Sequence, residues 1–302
     1  MGAEHDALRA RLGRVGAWTF AFDARTVEQI RVDAAVVETL GFPALWVPEG
    51  SSSREIFAHL LLLLASTKRL TVCSGIANIT ARAPEVMANG IRTVADAFGD
   101  RAVFGIGVGH EYSTRARGLD WARPLGRMRS YLDLMDGSSG VPEPPTAPQR
   151  LLAALGDRML ELSAERALGA HTYFVPAAHT ARAREVLGSE PVIATELTVV
   201  VDEDPARARA IARGWAVHYL ELPNYANNLR RFGFSDADVA GEGSDRLINA
   251  TIAWGGVGAI AARVLEHLDA GADHVCVQVI SGDEADPCLP QLRELAPALL
   301  AG

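Results

Sequence analysis

The chain has 302 residues, 49% of them hydrophobic, with mean hydropathy +0.10, net charge −8 and a pI near 5.5. That is enough apolar material for one large core, as a single barrel or two ordinary domains, and the acidic balance argues against a nucleic-acid backbone as the main partner. Of 29 basic residues only Lys68 is a lysine, placed at a strand entrance, which argues against Schiff-base chemistry.

The N-terminal MGAEHDALRARLGR is charged where a secretory signal would be apolar. The longest apolar run, Leu60 to Ala65, is far shorter than a bilayer span, so no membrane partner is expected and the cytoplasm is the expected compartment. Cys73, Cys276 and Cys288 lack paired spacing, which speaks against a disulfide framework or a zinc cluster.

Apolar runs predict strands near 14–20, 44–48, 70–77, 102–108, 151–155, 171–175, 193–201 and 274–280. Helical periodicity fills the gaps at 26–40, 53–66, 84–98, 122–136, 157–168, 178–187, 205–220 and 257–270. Four helix-to-strand returns share one grammar, TLGFPALWV, AFGDRAVFG, ALGAHTYFV and DAGADHVCV, each with a glycine suited to a left-handed cap. Eight alternating units with almost continuously apolar strands predict one α/β domain over 1–302, a (β/α)8 TIM barrel. Two stretches break the repeat. Pro- and Ser-rich 137–149 reads as a surface connection, and 222–252 as an insertion before the last strand-helix unit that fits a lid. The helix around EIFAHLLLLLAS is apolar on more than one face, which predicts a homodimer.

In a barrel of this kind chemistry sits at the carboxyl ends of the strands. Those exits carry Trp18, Phe20, Glu49, Gly75 to Asn78, Gly109 to Glu111, Gly156 to Met159, Tyr173 and Phe174. No exit shows a His-x-His pair or a carboxylate cluster, so no metal is expected. Glycines 105, 107 and 109 leave one face of the fourth strand bare; either they relieve crowding in the barrel or a flat ring lies against them. His110, past that face, is placed to exchange a proton, with Glu49 and Glu111 as the other candidate acids. LGDRM at 155–159 and WGGVG at 254–258 open helices whose free N–H groups suit an anion. Trp18, Tyr173, Asn224, Tyr225 and Trp254 are the candidate substrate contacts.

GIANITARAP after the third strand and GIGVGH at the fourth carry a resemblance. So do LGDRMLELSAERALG, LPNYANNLRRFGF and AWGGVGAIAARVLEHLDAGADHVCVQ. Together they resemble the bacterial-luciferase-like superfamily, in particular its coenzyme F420-dependent oxidoreductases. The resemblance implies a deazaflavin at the barrel mouth, near Gly75, Ile76, Ala77, Asn78, Gly107 and Gly109, with a cis peptide at Gly75-Ile76. It also implies that Gly156, Asp157, Arg158 and Met159 form a phosphate-contacting turn. Alcohol-oxidising relatives resemble one another in an Asp-His pair where this chain has Glu49-Gly50. The expectation is therefore a reductase moving hydride from reduced F420 to a polarised double bond of a small or natural-product substrate. An FMN-dependent monooxygenase and a non-catalytic flavin-binding protein are the alternatives.

Overall fold

The apolar runs become strands β1 (Val15–Trp18), β2 (Ala44–Val47), β3 (Thr71–Asn78), β4 (Ala102–Gly107), β5 (Gln149–Ala153), β6 (Gly169–Thr172), β7 (Val192–Val200), β8 (Ile252–Trp254) and β9 (His274–Val279). The structure is a computed structural model and describes residues 2–301. Every pairing is parallel, and β1 to β7 close through β9 back onto β1, an eight-stranded barrel wrapped in helices. Side chains alternate as the pleat requires: on β7, Ala194 joins the barrel interior while Ile193, Leu197 and Val199 pack outward under the helices.

Helix boundaries follow local chemistry. Thr26 and Gln29 form a reciprocal capping box at the start of Val27–Thr39. Pro84 opens Pro84–Phe98, whose Met87, Ala88, Ile91, Val94 and Ala95 face the core. The glycine has positive φ at all four returns, at Gly41, Gly99, Gly169 and Gly271, as their grammar predicts. Gly169 also answers to a second demand. It is already the first residue of β6, and a Cβ there would lie 1.9 Å from the Val192 carbonyl, so it allows two strands to meet.

Several elements differ from expectation. The charged N-terminus is a helix, Gly2–Leu12, whose Leu8 and Leu12 plug the amino end of the barrel against Trp46, Val103 and Leu151. Arg9 bonds Asp273 (2.8 Å), and the Gly13 carbonyl bonds His274 Nδ1 (2.8 Å), which fixes the plug. The segment expected as an insertion forms helices Pro223–Arg231, Asp236–Val239 and Asp245–Thr251 and delivers a ninth strand, β8. β8 pairs with Thr198 to Val200 on the edge of β7 that β6 uses lower down, from Val192 to Thr195. With Tyr225, Leu229, Phe234, Leu247 and Ile248 buried beside Tyr219, the segment owns a small core, so it is a built wall and not a loose lid. β5 and β6 begin two residues earlier than their apolar runs, and a short helix, Glu111–Ala116, follows β4.

Helix Ile56–Ser66 buries Ile56, His59, Leu60, Leu63 and Leu64 and half-buries Leu61 and Leu62, so much of the apolar surplus behind the homodimer expectation is covered within the chain. Among the described residues no helix is long and apolar enough to cross a membrane.

Candidate active site at the barrel mouth

The third strand does not run straight to its exit. The β3–β4 register shifts between Ser74 and Ala77, and the Gly75-Ile76 peptide is cis. The bare face of β4 is what this bulge needs: a Cβ on Gly105 would sit 2.1 Å from the Ser74 carbonyl, and one on Gly107 would sit 2.6 Å from Ile76 Cδ1. The alternate glycines therefore admit the bulge, and Gly75 and Ile76 form a half-exposed ledge near the carboxyl end of β3. Gly109 has φ +69, and its missing side chain makes room for Asn78, whose Oδ1 accepts from Thr80 N (2.9 Å).

Glu49 holds this bulge from the side. Its Oε2 accepts from Asn78 N and from Arg82 Nη1, both at 2.8 Å, while Arg82 Nη2 grips the other oxygen. With side chains only 6% and 8% exposed the pair is buried, so the expectation that Glu49 supplies a proton gives way to an anchoring role. Glu111 turns outward, ion-paired with Arg115 one turn on (2.8 Å) and 43% exposed. Nothing in that placement supports it as an acid.

His110 is at the mouth. Its ring stacks on Tyr112 (5.7 Å between centroids, 8° between planes) and approaches Tyr225 (5.8 Å), and its buried Nδ1 has no hydrogen-bond partner. Burial, with His218 nearby, pushes its pKa down to about 4. At neutral pH it is thus an uncharged ring, one nitrogen a donor and the other an acceptor, and not an imidazolium acid.

Gly156 caps helix Asp157–Arg166 and leaves its first N–H groups facing out. Asp157, adverse to an anion, is drawn off by Arg182 (2.7 Å), whose hydrogen bond lowers the carboxyl's pKa. Arg158 is exposed and makes no ion pair among the described residues, and Met159 packs on the main core. Arg231, from the wall segment, stands over the turn: a Cβ on Gly156 would be 3.2 Å from its Nη1, and its bond goes to Asn228 (2.8 Å), not to a carboxylate. The second glycine turn is already served, since Glu203 Oε1 would lie 2.4 Å from a Cβ on Gly256. The expectation of an anion at 254–258 is therefore corrected: the chain's own carboxylate is there.

Between the exits of β1, β2 and β9 and helix Pro205–Leu220 opens a cavity of about 800 Å³. Phe20, Tyr112, Trp215, Tyr219 and Gln278 line it, with Asp23, Glu221, Asp283, Glu284 and Asp286. Behind them Tyr173 bonds both Gln278 (2.8 Å) and the Tyr219 hydroxyl (2.9 Å), and Tyr225 stands edge-on to Tyr219 (5.3 Å). Trp18 lies deeper, against Gly75, its buried Nε1 without a partner. Asn224 is exposed on the wall segment. Trp254 does not line the cavity; it bonds Asn249 (2.9 Å) and lies under Arg209.

Sequence reasoning missed Arg82, Glu196, Tyr219, Arg231 and Gln278. Glu196 is 1% exposed on β7, holds Phe174 N (3.1 Å) and the Thr198 hydroxyl (2.6 Å), and has its pKa pushed up to about 7 by burial. A lone carboxylate inside TELTVVV was the available signal for it. Gln278 stands likewise as the polar member of VCVQVI. Among the described residues no group of three or more His, Cys, Asp and Glu is placed to hold a metal ion.

The family model described as luciferase-like monooxygenase matches residues 14–274. The chain belongs to that family. Its members are oxidoreductases, and deazaflavin and flavin both occur among its structural neighbours. A 5,10-methylenetetrahydromethanopterin reductase of Methanolobus tindarius is 24% identical over 87% of this chain and 85% of its own length. One of the same name from Archaeoglobus fulgidus is 29% identical, but over only 33% of this chain and 30% of that protein. An F420-dependent secondary alcohol dehydrogenase solved with an F420-acetone adduct superposes with a TM-score of 0.76 at 14% identity, over 95% of this chain and 98% of that one. The FMN-bound oxygenating component of 3,6-diketocamphane monooxygenase from Pseudomonas putida gives 0.69 at 14% identity, over 94% and 95%. At such identities these two likenesses speak for the fold alone.

Proposed function

We propose that this family member is a coenzyme F420-dependent reductase that transfers hydride to a polarised double bond of a small molecule. The observation that carries it is the pairing of the Gly75-Ile76 ledge with an anion cradle at the start of helix Asp157–Arg166 under Arg231. Ledge and cradle together fit a planar tricycle with a phosphate-bearing tail. The deazaflavin assignment also leans on the methanopterin reductase relative that spans most of the chain. When bound, the reduced deazaflavin would supply the hydride.

The chain's own residues do the rest. Ile76 backs the ring, while Gly156, Arg158 and Arg231 hold the phosphate. His110, neutral at the mouth, offers an N–H to the atom on which negative charge develops after hydride arrives. Gly50, at the cavity edge, leaves no imidazole where an alcohol-oxidising base would stand, which favours reduction. Small neutral carbonyl, imine and activated-alkene compounds are the substrate classes to screen.

Titration of the chain with coenzyme F420 and with FMN, followed by quenching of tryptophan emission, tests the reading. Tighter binding of F420, with turnover of its reduced form by an acceptor, is the expected result. Tighter FMN binding with oxygen-dependent turnover would establish the monooxygenase instead, since the same cradle accepts either phosphate.

A further inference from the structure

The mouth is electrically two-sided. Arg158 and Arg231, neither paired with a carboxylate among the described residues, mark the cradle after β5. Across the mouth, Asp23, Glu221, Asp283, Glu284 and Asp286 line the cavity, and among the described residues no arginine or lysine does, His218 being the one basic side chain set against these five carboxylates. Arg54 stands beside Asp23, whose carboxylate accepts the Arg54 backbone N–H at 3.0 Å. An anionic group that enters this cavity meets an excess of like charge, whereas one at the cradle does not.

The same cavity holds a hydrogen-bonding pair with a fixed sense. Tyr173 has one hydroxyl proton, and it goes to Gln278 Oε1 at 2.8 Å. In the 2.9 Å contact between the two tyrosine hydroxyls, Tyr219 must then be the donor. That leaves the Gln278 amide nitrogen without a protein acceptor among the described residues, beside the remaining lone pairs of the Tyr219 oxygen. Both side chains are held still, at 2% and 5% exposure, by a third residue behind them. Phe20, Tyr112 and Trp215 supply flat walls around the pair.

We infer that the substrate is a flat neutral or cationic molecule with an amide-like group, its C=O accepting from the Gln278 N–H and its N–H donating to the Tyr219 oxygen, and that the acidic rim rejects carboxylates. This deepens the reading above and rests on it only for treating the occupant as the acceptor of hydride. Benzamide, 4-(aminomethyl)benzamide and 4-carboxybenzamide present the same flat amide and are neutral, cationic and anionic, so charge varies while the hydrogen-bonding group does not. Each is titrated into the full chain, with and without F420, following tryptophan emission.

4-(Aminomethyl)benzamide should bind at least about tenfold tighter than 4-carboxybenzamide at low salt, with benzamide between and the gap narrowing in 0.5 M salt. The double variant Glu221→Gln/Glu284→Gln, both at exposed positions, should narrow the same gap. Gln278→Met and Tyr219→Phe should each weaken benzamide by about 2- to 10-fold, the worth of one hydrogen bond. 4-Carboxybenzamide binding as tightly as 4-(aminomethyl)benzamide would overturn the inference, as would benzamide affinity untouched in both single variants. If F420 fails to bind while the order of the three amides holds, the cofactor reading alone falls. If F420 binds and the order fails, the cavity assignment falls.

Discussion

Arg82 grips both carboxylate oxygens of Glu49, and the same carboxylate accepts the backbone N–H of Asn78, so one buried ion pair ties the exits of β2 and β3 together. The cis bulge is therefore held from outside the barrel by a residue that never touches the mouth. Because both partners are buried, Arg82→Met leaves a carboxylate without its countercharge and should cost about 3 to 5 kcal/mol of stability. Chemical denaturation measures that loss, and F420 affinity should fall with it. Stability within 1 kcal/mol of the parent would show that the pair does not hold the bulge.

Arg231→Ala and Arg158→Ala should each weaken F420 by about 10- to 100-fold, as expected for a charge-assisted contact of roughly 1.5 to 3 kcal/mol. The deazaflavin chromophore without its phosphate should bind all three proteins alike. A comparable loss for the chromophore alone would move the phosphate away from the Gly156 turn.

For His110→Ala, cofactor affinity should stay within a few-fold while turnover drops by about 100-fold or more. Since burial holds the ring neutral, the parent enzyme's kcat/KM should show no His110-dependent limb between pH 5.5 and 8. A limb near pH 6.5 that vanishes in the alanine variant would restore the imidazolium acid of the sequence-based expectation.

Acid should destabilise the fold steeply. Burial pushes His59, His110, His171, His179 and His274 down to about 4 and His267 to about 3. Between those values and the unfolded value of about 6.5, the unfolded chain binds more protons, so stability rises with pH by up to about 1.4 kcal/mol per unit for each ring. Glu196, pushed up to about 7, acts the other way: the folded state keeps its proton above the unfolded value of about 4.3, and its contribution fades as pH climbs toward 7. One group opposes six, so Tm should fall from pH 7 to pH 5 in scanning calorimetry. A flat or rising Tm would mean that these rings are not buried neutral.

The barrel was legible because its strands are uninterrupted apolar runs and its returns carry glycines whose backbone demands are local. Gly41, Gly99 and Gly271 needed no tertiary information to be read. β8 was not legible: three residues following a helix, Ile252 to Trp254, offer no periodicity, and only the edge of β7 makes them a strand. The site divides in the same way. His110 and the Gly156 turn announce themselves by position at strand exits, whereas the cis bond at Gly75-Ile76 is expected only from the family resemblance. Glu49 looked like a free acid because Arg82, 33 residues on, is brought to it only by the fold. Gln278 likewise acquires its partner Tyr173 from a distant segment, and Arg231 reaches the Gly156 turn only through the fold, so no spacing rule could have gathered them.

Ile76 fills the hollow that Gly107 leaves, with Ala153 closing it from the next strand at 3.0 Å. Positions 76 and 107 are consequently a single choice of volume written in two places. A side chain introduced at 107 alone pushes the ledge into the mouth, and a small residue at 76 alone leaves a void beneath it. Relatives that reshape this ledge should therefore change both positions together, and directed evolution of the mouth should mutate them as a pair.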